Sequence, residues 1–182
     1  KARLHLDWVL TQQQDNFWLA NCDNTEHKNH KPIIHTIAYT LDGLFDSGCL
    51  LKDEEYKNAA IGGAEILAQK FVERELLHGR YDKRWNGSEA FIPTGGAQLA
   101  ILWHKIARAD TNAFWAEEAR SSMNVLLSVI ATSGARTAKD VGGALQGSFP
   151  MWGRYESFGL PNWATKYMAD SLMNELDWSN ER

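Results

Sequence analysis

The chain has 182 residues, 44% apolar and 23% charged, an ordinary globular composition with enough length for a well-buried core. Its net charge of −4 excludes a general nucleic-acid binder, because neutralising phosphates needs a basic surface. No run approaches the ~18 apolar residues of a membrane span, so no transmembrane segment is expected.

In chain order, the first helix is predicted over residues 2–14, with Leu4, Trp8 and Val9 as an apolar stripe. A polar, turn-rich loop over 21–31 leads to Pro32, which fixes the entry to a second helix over 33–47, ending at Gly48. Asp53 is the expected N-cap of a third helix reaching His78, with Glu54 and Glu55 favourable in its first turn. Gly62 and Gly63 inside that helix predict close packing against a neighbour. A second loop over 79–93 carries Tyr81, Trp85 and Phe91. The fourth helix follows over 94–109, then a fifth capped by Asp110 or Thr111 and ending before Gly134. The longest irregular stretch, 135–161, is rich in aromatics and therefore reads as functional rather than disordered. A sixth helix over 162–176 closes the chain, and strand-like alternation is essentially absent.

These elements repeat. Outer helices are marked at Leu4, Ala60 and Ala119, 56 and 59 residues apart, and inner helices open at His35, Thr94 and Asn162, 59 and 68 apart. Each round reads as outer helix, aromatic- and glycine-rich loop, inner helix. A period this long with helical content means stacked α-hairpins, none able to bury its apolar face alone. The expected fold is all-α, one domain over residues 1–182. Its three hairpins form an α/α-toroid or an arc of one, completed by further repeats or by a second copy. The chain opens at Lys1 without Met or a signal-peptide apolar segment, so it is read as a processed or partial chain, and as cytoplasmic. Its two cysteines, Cys22 and Cys49, are expected to be free and buried, in keeping with a reducing compartment.

Several residues invite a chemical reading. His35, Tyr39 and Asp42, at i, i+4 and i+7, share one helix face and could supply acid–base chemistry or hydrogen bonds to hydroxyls. The plainer reading is a polar stripe at a structural contact. His27, His30 and His35 do not share a helix face across Pro32, so no metal site is expected, and no cofactor loop is recognisable. Asp42 and Glu89 lie near equivalent rims of successive hairpins and form the candidate carboxylate pair for glycoside cleavage. Gln98 sits one turn inside the fourth helix. His104 reads as a satisfied core histidine. The third loop places Trp152, Arg154 and Tyr155 ahead of Asn162, Trp163 and Lys166, a combination of flat apolar faces and cations suited to a sugar or an anion. The alternative is a rigid plug with Trp152 and Trp163 as packing anchors, and Trp163 and Tyr167 at i, i+4 read individually as core.

The repeat, with GSFPMWGR over 147–154 and PNWATK over 161–166, resembles the α/α-toroid superfamily. That superfamily includes six-hairpin glycosidases, toroidal polysaccharide lyases and the prenyltransferase and squalene-cyclase repeats. Most similar is a group of uncharacterised bacterial proteins with prenyltransferase-like repeats, some encoded near polysaccharide biosynthesis genes. Gln14 to Trp18 and Gln146 to Trp152 echo the Gln-to-Trp spacing of cyclase repeats, while the middle repeat lacks the Gln. The acid motif of squalene cyclases and the Asp/Cys/His metal set of protein prenyltransferases are not evident. The resemblance implies a carbohydrate-active domain that binds or processes a glycan, including an anionic or lipid-linked one, in a central cavity. As an enzyme it would be a hydrolase or lyase. A non-catalytic recognition module is the alternative, and prenyl or terpenoid binding a third reading.

Overall fold

A computed structural model describes residues 1–110, 112–132 and 142–180. Six helices carry the fold: α1 (Ala2–Gln12), α2 (Ile34–Leu51), α3 (Glu54–Arg74), α4 (Pro93–Asp110), α5 (Ala113–Thr132) and α6 (Asn162–Asn180). A 3-10 turn lies at Glu26–Lys28. The fold is all-α, as the periodicity predicts. The departure is a small antiparallel ribbon in the second loop, β1 (Arg80–Tyr81) with β2 (Gly87–Ser88). Its two-residue strands are too short for alternation to reveal.

Local chemistry sets the helix ends. Asp53 caps α3 by accepting from Glu55 N at 3.2 Å. Helix α3 stops at Arg74, a turn short of His78, because Glu75 adopts the left-handed conformation and its N–H bonds back to Phe71 O. Helix α2 runs past Gly48 to Leu51 and ends at left-handed Lys52. Gly48 instead gives α3 room: a Cβ there would come within 2.6 Å of the Lys57 side chain. Asn112 accepts from Phe114 N at the start of α5, and Asp110, one expected cap, is the last residue of α4; Thr111, the other, lies outside the described residues.

Helix α4 is the hub. It packs against α2 on one side and α6 on the other, with α5 behind it, while α3 lies behind α2. Almost all of its residues are buried, the pattern of a helix enclosed on every side. The three inner helices α2, α4 and α6 therefore stand side by side, with α1, α3 and α5 outside. Gly63 admits Leu41 of α2, where a Cβ would lie 2.6 Å from a leucine methyl, as the glycine pair predicts. Helix α1 departs from expectation: Leu4 and Trp8 are exposed, and it docks on α3 through Leu6, Val9 and Leu10 and the contacts Arg3–Asp53 and Asp7–Tyr56.

The loops before the inner helices are stitched together at one end of the arc. Trp18 Nε1 donates to Tyr81 O at 3.1 Å and Trp85 Nε1 to Asn16 O at 2.9 Å, joining the first loop to the second. A bridge between Phe91 and Phe149 joins the second to the third. Cys22 and Cys49 are free thiols; Cys22 is half-buried and Cys49 exposed, not buried as expected. Among the described residues no helix is long and apolar enough to cross a membrane.

Candidate functional site

The inner helices enclose a cavity of about 530 Å³. Each presents one stripe at helical spacing: Ala38, Tyr39 and Asp42 from α2, Gln98, Ile101 and Lys105 from α4, and Lys166, Tyr167, Asp170 and Asn174 from α6. The Tyr39 and Tyr167 rings meet edge to face at 5.8 Å and 87°, and the Tyr167 hydroxyl donates to the Tyr39 oxygen. Lys166 Nζ lies 4.1 Å from the Tyr167 ring centroid and pairs with Asp170 at 2.6 Å. Lys105 Nζ donates to both Asp42 and Asp46 at 2.7 Å.

Burial and pairing set the electrostatics. Burial opposes the Lys105 charge, but its two carboxylates outweigh that and raise its pKa. One ammonium shared between two aspartates does not offset burial at Asp42, whose carboxyl is held above its ordinary pKa. Burial, reinforced by Tyr39, also raises the Tyr167 phenol. Gln98 is 5% exposed, and its Oε1 has no hydrogen-bond partner among the described residues.

A second cavity, about 580 Å³, lies at the loop end and is lined by His30, Lys31, Ser88, Glu89, Ala90, Trp152, Gly153 and Arg154. Its floor is organised by Arg80, which is nearly buried. Arg80 Nη1 donates to Asp23 at 2.7 Å and to Lys31 O at 2.8 Å, and its Nε lies 3.3 Å from Glu89 Oε2. Burial alone would raise the Asp23 pKa, but Arg80 and Thr25 overcome it and hold the carboxyl below the ordinary range. Glu89 has a φ of +66°, a conformation that costs a non-glycine residue energy and persists only where its surroundings impose it. Here the ion pair with Arg80 and the hydrogen bond that Glu89 O accepts from His78 Nδ1 at 3.3 Å hold it.

The residues singled out in the sequence divide between these places. Tyr39, Asp42, Gln98 and Lys166 line the inner cavity; Glu89, Trp152 and Arg154 line the rim cavity. Asp42 and Glu89 therefore face different cavities. His35 shares its helix face with Tyr39 and Asp42 but packs tilted against Tyr155, ring centroids 5.2 Å apart at 52°, and burial lowers its pKa to about 4. Tyr155 accepts a hydrogen bond from Trp163 Nε1 at 3.1 Å. Trp163 is partly exposed rather than core, and Asn162 lies exposed at the start of α6. His104 is fully buried, with Nε2 3.0 Å from Glu175, but it is not the satisfied core histidine expected, because its Nδ1 has no hydrogen-bond partner among the described residues. Among the described residues no group of three His, Cys, Asp or Glu side chains is placed to hold a metal. Lys105, Tyr167 and Asp170 belong to the inner cavity without having been expected there; their signal was the spacing 98, 101, 105 and 166, 167, 170, 174 along two helix faces.

No family model and no curated protein matches the chain. Among solved structures, a GH76 α-mannanase of Bacteroides thetaiotaomicron superposes with a TM-score of 0.66 at 14% identity. The match covers 98% of this chain and 45% of that one, so this chain spans less than half the length of the mannanase. The likeness is one of fold: the all-α arrangement of this chain resembles the α/α toroid of that neighbour.

Proposed function

We propose that this chain binds a glycan in the cavity between α2, α4 and α6, as part of a carbohydrate-active α/α-toroid. One observation carries the reading: Gln98 places a buried, unpartnered carbonyl oxygen on a cavity edged by two tyrosine rings. A buried acceptor without a donor costs about 1–3 kcal/mol. A sugar hydroxyl supplies that donor, and the sugar's C–H face suits the tyrosine rings. The fold shared with a mannanase supports the same class of ligand.

The test is calorimetric titration with mannotetraose, maltotetraose and cellotetraose. At least one binds, and Gln98→Leu lowers its affinity by about tenfold or more while the melting temperature holds, because the site loses its hydroxyl partner. Absence of binding by all three overturns the proposal.

A second reading, recognition without turnover, is favoured by the ion pairs. The Asp42 and Asp170 carboxylates are both engaged by lysines, and Asp42 and Glu89 do not share a cavity. Asp42→Asn separates the two readings. Loss of reducing-end release with retained binding assigns Asp42, whose raised pKa suits a proton donor, to catalysis. Binding without any turnover by the unaltered chain assigns recognition.

A further inference from the structure

The rim cavity differs from the inner one in charge and in how its side chains are held. Its lining carries Lys31 and Arg154 against a single carboxylate, Glu89, with His30 beside them. Glu89 is already engaged by Arg80 at 3.3 Å, whereas its distance to Arg154 Nη1 is 3.9 Å. The Arg154 side chain is 84% exposed, so its guanidinium keeps donors available to a ligand. Trp152 is 71% exposed, although the loop that carries it is tied down on both sides. Phe149 N bonds to Phe91 O at 2.8 Å, Gly153 N to Pro150 O at 2.9 Å and Phe158 N to Met151 O at 2.8 Å. The loop therefore holds an indole and a guanidinium at the lining of the cavity, both open to solvent.

We propose that the rim cavity is a subsite for an oxyanion carried by the glycan. Arg154 and Lys31 bind the anionic group and Trp152 packs against the ring that bears it. This rests on the glycan reading and specifies its substrate class: an acidic oligosaccharide whose neutral portion reaches the inner cavity. A planar guanidinium pairs with carboxylate, sulfate or phosphate oxygens through two parallel N–H donors. Glu89, fixed by Arg80, orients Arg154 and disfavours a second anion deeper in the cavity.

The experiment compares the same neutral tetraoses with a mannotetraose carrying one terminal uronate and a mannotetraose carrying one terminal 6-phosphate, by calorimetry at low and high salt. An acidic ligand is expected to bind about tenfold tighter than the best neutral one at low salt, with the advantage shrinking as salt rises. Whether carboxylate or phosphate is preferred identifies the anion. Arg154→Ala with Lys31→Ala abolishes the advantage and leaves neutral binding within about twofold, and Trp152→Ala weakens the acidic ligand most. Trp152 and Arg154 are exposed and Lys31 is half-buried, so the melting temperature of each variant is followed alongside and a folding defect is recognised at once. Equal affinity for acidic and neutral sugars, or an advantage that survives the double substitution, overturns the subsite while sparing the glycan reading. Failure of every sugar overturns both.

Discussion

The inner cavity and the rim cavity are similar in volume and opposite in construction. The inner one is made by three helices and lined by Asp42, Asp170 and Asp177 against Lys105 and Lys166, with Asp42 paired to Lys105 and Asp170 to Lys166, and its geometry is set by helix packing. The rim one is made by three loops, lined by two cations against one carboxylate, and set by a single nearly buried arginine. The difference teaches where each can fail. Removing one inner-cavity side chain leaves the helices standing, whereas the rim depends on Arg80 holding Asp23, Lys31 O and Glu89 together.

Arg80→Ala therefore has the largest expected effect. It leaves the fully covered Asp23 carboxylate unpaired, a change worth about 3–5 kcal/mol. Thermal unfolding should fall by about 10 °C for a chain of this length. A loss under about 1 kcal/mol would mean that the loops are held by their tryptophans alone.

His35 gives the next largest effect, through pH. Its folded pKa, about 4, lies below the ordinary 6.5, so the unfolded chain takes up the proton first. The stability it contributes is complete above pH 6.5 and drains away as pH falls toward 4. Burial is the main cause, with Asp23 opposing it and Arg80 adding to it. His35→Gln should flatten that part of the acid slope by on the order of 2 kcal/mol, measured by denaturant unfolding at pH 7 and pH 4.5. His104, likewise lowered chiefly by burial, keeps a residual slope of the same sign. An unchanged slope in the variant would place the acid sensitivity elsewhere.

The smallest expected effect sharpens the contrast. Trp152→Ala and Arg154→Ala should each shift stability by no more than about 0.5 kcal/mol, as exposed side chains do. A larger loss of melting temperature in Trp152→Ala would make that indole a packing anchor, as the plug reading of the loop supposes.

The sequence made the helical architecture legible because helices announce themselves locally. Asp53 and its two glutamates mark the start of α3, and the recurring openings mark the inner helices. A third of the inner cavity's lining was legible for the same reason: Tyr39 and Asp42 lie on one face by spacing alone, and Gln98 and Lys166 are a turn or so inside their helices. What stayed hidden is depth and partnership. Asp42 lies seven residues beyond His35, about 10 Å along the helix at 1.5 Å per residue, whereas Glu89 belongs to the loop above. Equivalent position in the repeat therefore did not bring the two carboxylates into one cavity. Nor could spacing reveal that Lys105 serves Asp42 and Asp46 from another helix, or that Arg80 is the shared partner of Asp23 and Glu89.

The most direct test of glycan binding between the inner helices follows the five tyrosines by NMR, assigned through single Tyr→Phe variants, during titration with the best-binding neutral tetraose. The account predicts saturable shifts of Tyr39 and Tyr167, with Tyr56 and Tyr81 unmoved. Saturable binding that leaves Tyr39 and Tyr167 unshifted would contradict it and move the site out of the inner cavity.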